Sequence, residues 1–153
     1  MNSQSSVFHV RRAFWLVDEK RLCSIRRKVF IEEQHVPEEL EWGSEDMDAL
    51  HLLAVDAEEN PVGTARLLAT GQIGRMAVLP DWRGRGVGSA MLGYLLAHIE
   101  LEMLPAPFLH AQLSAVGFYR KLGFVEEGEV FMDAGIAHRA MRFVGNSSAS
   151  AES

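Results

Sequence analysis

VLPDWRGRGVGSAML, Val78 to Leu92, runs from the apolar end of a strand through a proline stop into three closely spaced glycines, and then straight into a helical pattern. Glycine permits the positive φ of a tight turn and lets the backbone approach a ligand closely. The first N–H groups of a helix lack internal partners, and the helix dipole is positive there. Arg83 and Arg85 add charge. In physical terms this is a phosphate cradle. Two common phosphate loops are excluded by what is missing. A Walker loop needs GxxxxGK[ST], and no lysine lies between Lys28 and Lys121. A dinucleotide fingerprint needs GxGxxG, but counting from Gly84 the last position is Ser89, and from Gly86 it is Met91. The plainer alternative is a glycine-rich loop that only turns a corner.

On either side of the turn the pattern is that of short strands and two longer helices. A first strand is expected at Val7 to Arg12. Asp18 then offers an N-cap to a helix whose Leu22, Ile25 and Val29 share a face, with Arg26, Arg27 and Lys28 largely off it. That helix fades near Gln34 and is stopped or restarted by Pro37. HLLAVD, PVGTARLLAT and IGRMAVLP read as three consecutive antiparallel strands from His51 onward. A helix from about Gly86 to Glu102 carries Val87, Ala90, Met91, Tyr94, Leu95 and Ile99 as its apolar stripe. PAPFLHAQ is a fifth strand, Ser114 to Leu122 a short helix ended by Gly123, and strands around Phe124 to Met132 and Ala137 to Phe143 finish the chain. The fold class is α+β.

The 153 residues suit one domain, expected over residues 1–145, with the small polar GNSSASAES end giving a disordered tail over 146–153. Asn146-Ser147-Ser148 is read as a chance sequon. The formal net charge of −6 argues against nucleic acid, which needs clustered Lys and Arg. Cys23 is the only cysteine, so neither an intrachain disulfide nor a cysteine-rich zinc site can form, and it reads as a small core or boundary residue. The six histidines show no HExxH spacing, so no metal is expected. The longest apolar stretch, Ala90 to Ile99, is too short to cross a membrane, and Met1 to Ser6 lacks an apolar signal core. The expected compartment is the cytoplasm.

Arg83-x-x-Gly86-x-Gly88 resembles the [QR]-x-x-G-x-[GA] signature of the GCN5-related N-acetyltransferases (GNAT). AQLSAVGFYRKLGF, Ala111 to Phe124, resembles that family's strand–helix segment ending in Phe-Tyr-x-Lys-x-Gly-Phe. The two blocks stand in the family's order, and the resemblance spans about Val7 to Val144. VFIEEQHVPEELEWGSEDMDALHLLA, Val29 to Ala54, resembles the ElaA-like branch more loosely. The implied fold is a mixed, mostly antiparallel central sheet flanked by helices.

The resemblance implies acetyl-CoA as acyl donor, with its pyrophosphate on the amides of Arg83, Gly84, Arg85, Gly86, Val87, Gly88 and Ser89. Its pantetheine arm would pair like an extra strand with Met76, Ala77 and Val78, on a strand that bulges and splays from its neighbour. The Val78 amide would stabilise the oxyanion. Tyr119 falls at the position suggested to protonate the departing thiolate, the alternative being a tyrosine packed locally beside Phe118. Gln112 stands where many members carry a pantetheine-binding Asn.

An amine acceptor must attack neutral, and deprotonating a lysine-like amine at pH 7 costs about 4.6 kcal/mol. Glu33, His51 and His110 are the candidate bases, Glu33 foremost, with Glu33, Gln34 and His51 as acceptor-binding candidates. The acidic run Glu38 to Asp48 either draws a cationic acceptor or is a solvated loop. The function implied is acetyl transfer to a primary amine of a small molecule or peptide by direct attack, without an acyl-enzyme. Its rivals are a non-catalytic acyl-CoA sensor and an acetyltransferase of protein N-termini or lysines. The resemblance also suggests a homodimer.

Overall fold

The computed structural model describes residues 7–145, so the 146–153 tail and its sequon lie outside the described residues. Seven strands form one sheet in the order β1-β2-β3-β4-β5-β7-β6. They are β1 Phe8–Ala13, β2 Leu50–Asp56, β3 Pro61–Leu67, β4 Gln72–Val78, β5 Phe108–Gln112, β6 Phe124–Asp133 and β7 Ile136–Phe143. Every neighbouring pair is antiparallel except β4 and β5. That parallel ladder covers only Gln72 with Phe108 and Ile73 with Leu109, after which the two strands part. The mixed, mostly antiparallel α+β architecture is the expected one.

Among the described residues four α-helices flank the sheet: α1 Trp15–Arg26, α2 Glu38–Glu41, α3 Val87–Leu101 and α4 Val116–Lys121. On one face α3 lays Val87, Met91, Leu92, Leu95 and Ile99 over Leu52, Ala65, Ile73 and Leu109. The stripe is rotated from the one expected: Leu92 is buried, while Ala90 and Tyr94 face outward. Burying each large aliphatic side chain in this layer contributes about 1.5–3 kcal/mol, so packing rather than propensity holds α3 in place. On the opposite face α1 buries Leu22 and Ile25, and continues as a π-helical stretch, Arg27–Glu33, that buries Val29.

Asp18 is not the N-cap. Phe14 holds that position, and Asp18 sits buried in the first turn, where its carboxylate accepts the Phe14 N–H at 3.0 Å. It also binds Arg11 at 3.1 Å and Arg21 at 3.4 Å. The cap therefore works from inside the helix, by a carboxylate reaching back to an unpaired amide.

Arg26, expected off the apolar face, is 1% exposed. Its guanidinium binds Glu41 Oε2 at 2.8 Å and Asp46 Oδ1 at 2.9 Å, and lies between the rings of Trp15 and Trp42. The acidic run is thus neither an open cation attractor nor simply a solvated loop. Glu41 and Asp46 point inward as the counterions of Arg26, Arg66 and Arg75.

Candidate active site

Where β4 and β5 part, a cleft of ≈ 840 Å³ opens across the sheet. Its β4 wall is irregular because Thr64 pairs with Ala77 while Arg66 pairs with Gly74, which leaves one extra residue on β4. The bulge carries Arg75 at φ 46°, a left-handed conformation that a side chain seldom adopts. Buried Thr64 donates its hydroxyl to the Arg75 carbonyl at 3.1 Å, taking up a group that the interrupted ladder leaves free. Met76, Ala77 and Val78 line the cleft beside the bulge.

One end of the cleft is the glycine turn. Gly84 and Gly86 have φ of 77° and 88°, and a Cβ at either would meet open space, so their requirement is conformational rather than steric. Gly86 is the N-cap of α3 and offers no side-chain cap, which leaves the first amides of the helix available. Gly88 has a different reason: a Cβ there would lie 3.2 Å from the Phe118 ring. Val87 is buried, so only its backbone can serve a ligand.

The two arginines of the turn are already engaged. Arg83 makes a two-pronged pair with Glu33 at 2.8 and 2.7 Å and donates through Nε to the Val78 carbonyl at 2.9 Å. It ties the turn to the end of β4 and to the π-helical stretch. Arg85 lies over the Trp82 ring at 4.8 Å. The Arg83 hydrogen bonds hold the Glu33 carboxyl below its ordinary range, and Glu33 is not among the residues lining the cleft. A carboxylate so occupied is a poor proton acceptor.

Tyr119 reaches the cleft from α4, its hydroxyl donating toward Met76 Sδ at 3.5 Å on the opposite wall. Phe118 and Phe124 pack edge-on against its ring. Burial pushes its phenol up to about 12, so the hydroxyl keeps its proton throughout the neutral range. Gln112 donates to Gln34 Oε1 at 2.8 Å, joining the end of β5 to the segment after α1.

His51 is brought elsewhere. It is 1% exposed, stacked on Trp15, and hydrogen-bonded through Nε2 to the Asp46 carbonyl at 2.8 Å. Burial lowers its pKa despite that bond. His110, whose side of β5 is ambiguous from the pattern, faces the cleft, as does His138 on β7. Arg66, Arg75, Phe118, Lys121 and His138 also line the cleft without having been singled out from sequence. The acidic density of Glu38 to Asp48, read from sequence as a draw for a cationic acceptor or a solvated loop, instead reflects in part the buried guanidinium groups that Glu41 and Asp46 neutralise. Among the described residues no group of three or more His, Cys, Asp or Glu could hold a metal.

A sheet opened at a bulge, with an uncapped helix N-terminus at one end and a half-buried tyrosine across the gap, defines an acyl-CoA N-acyltransferase architecture. Residues 16–144 match the family model described as an acetyltransferase (GNAT) domain, and the chain belongs to that family. It is 35% identical to the uncharacterized N-acetyltransferase YjcF of Bacillus subtilis (strain 168), covering 76% of this chain and 86% of that protein. Its fold is similar to an acyl-CoA N-acyltransferase from Pseudomonas aeruginosa, with a TM-score of 0.78, 28% identity, and 90% and 100% of the two chains covered. It is also similar to Escherichia coli ElaA, with a TM-score of 0.77, 25% identity, and 90% and 99% covered.

Proposed function

We propose that the chain transfers the acetyl group of acetyl-CoA to a primary amine by direct attack. What supports this reading most is the parting of β4 and β5 at the Arg75 bulge, between the Gly86 turn and the Tyr119 hydroxyl. The amides of Gly84 to Ser89 receive the pyrophosphate, and the backbone of Met76 to Val78 receives the pantetheine arm. The amine nitrogen bonds to the thioester carbon, and the Val78 amide stabilises the oxyanion that forms. The carbon–sulfur bond then breaks, and the thiolate takes its proton from Tyr119. The proton lost from nitrogen passes to water or to His110, which faces the cleft. Glu33 is a positioning residue here, holding Arg83 against the end of β4.

This reading makes residues 1–145 one catalytic domain working in the cytoplasm. Among the described residues no helix is long and apolar enough to cross a membrane. Thiol release from acetyl-CoA, followed across a panel of amines with the product weighed by mass spectrometry, tests it. Amine-dependent thiol release with one acetyl added per amine is expected. Tight coenzyme binding without amine-dependent release would instead assign the chain to the non-catalytic sensors.

A further inference from the structure

The polar cluster beneath the cleft is unbalanced. Arg26, Arg66 and Arg75 bring three guanidinium groups, and Glu41 and Asp46 bring two carboxylates. Arg26, Arg66, Glu41 and Asp46 are 1%, 6%, 2% and 1% exposed. His51, which touches the same cluster through the Asp46 carbonyl, supplies no negative charge. One cation is therefore left without an internal counterion, in surroundings where an unpaired charge is costly.

The surplus faces the cleft. Arg66 and Arg75 both line it. Arg66 uses Nη1 on Asp46 at 3.0 Å, but its buried Nε has no hydrogen-bond partner among the described residues. Arg75 lies at the bulge with its Nε 3.0 Å from Glu41 Oε2, close enough for charge pairing but not aligned as a hydrogen bond. Its Nη2 makes only a 3.4 Å contact with the Glu41 carbonyl, and its side chain stays 31% exposed. Glu41 cannot give more, because the same Oε2 already accepts from Arg26. Arg75 thus presents guanidinium donors, with charge to spare, to the space a substrate would enter.

Building on the acetyltransferase reading, we propose that Arg75, backed by Arg66, binds a carboxylate of the acceptor. The substrate class is then amino acids and related amino carboxylates rather than simple polyamines. A carboxylate restores the missing negative charge and can accept two parallel N–H bonds from one guanidinium. Phe30, Val36 and Leu40, on the same cleft, offer an apolar wall to the rest of the molecule. A polyamine would place a second cation against a surplus cation, and like charges select against it.

The test is calorimetric titration of the CoA-loaded protein with L-leucine, L-phenylalanine, L-lysine and β-alanine, each against its own carboxamide. At least one acid should bind about 10- to 100-fold more tightly than its amide, the span expected for a charged hydrogen-bonded contact. Arg75→Gln should erase that preference, and Arg75→Lys, which keeps the charge but loses the fork, should retain part of it. Arg75→Lys carries the comparison if a melt shows Arg75→Gln to be unfolded. Acids no tighter than their amides across the set, or a preference that survives Arg75→Gln, would overturn the proposal. Acid binding abolished by Arg75→Gln but without any thiol release would uphold the carboxylate site while removing the acetyltransferase reading.

Discussion

Tyr119 shows what one residue contributes once its surroundings are known. A phenol raised by burial to about 12 stays protonated at every pH at which the protein would be assayed, so in the proposed mechanism its O–H is present when the sulfur departs. Tyr119→Phe should lower kcat by about 10²- to 10⁴-fold while leaving the dissociation constant for acetyl-CoA unchanged. An unaltered kcat would remove Tyr119 from the chemistry. The same shift has a sign for stability. The folded state disfavours phenolate, so the Tyr119 contribution is whole below pH 10 and is lost as pH rises through about 12. Glu33 shows the opposite case: its position near the end of the first helix was legible, but the two-pronged bond to Arg83, fifty residues away, was not.

At the scale of elements, the strand–turn–helix at Val78 to Leu92 was readable because proline and positive-φ glycines announce local backbone demands. The buried ion cluster was not. Arg26 follows Ile25 on a helix whose spacing assigns it outward, and its partners Glu41 and Asp46 lie in separate short helices. Only tertiary packing turns those charges inward. Burial opposes ionisation of Asp46, but the hydrogen bonds and charges of Arg26 and Arg66 outweigh it and hold the carboxyl below its ordinary 3.8. A lowered carboxyl adds stability that is present above its unfolded pKa and is lost as pH falls through the folded value. Arg26→Met should therefore cost on the order of 3 kcal/mol in denaturant unfolding near neutral pH, because it leaves buried carboxylates short of a counterion. The difference from the parent should narrow as the pH falls through the lowered pKa of Asp46, whose protonated carboxyl no longer needs a counterion. A loss under 1 kcal/mol would mean that the cluster relaxes without it.

Across the whole molecule the charge pattern runs against the net figure. The chain carries a formal charge of −6, yet Arg66, Arg75, Arg83 and Lys121 all border the cleft. Of the carboxylates only Glu41, held by Arg26 and Arg75, and Asp133 also border it, so the global charge gives no guide to the ligand. Binding of a polyanionic coenzyme should weaken as salt screens that lining. The account rests on one structural claim, that the open amides at Gly84 to Ser89 hold acyl-CoA in the gap between β4 and β5. Calorimetric titration of the protein with acetyl-CoA, alongside Gly86→Val, tests it most directly. Saturable binding of one coenzyme per chain is predicted, weakened at least about tenfold in Gly86→Val because a β-branched residue at φ 88° distorts the cradle. No saturable heat with the parent protein, or equal affinity in a folded Gly86→Val, would contradict it.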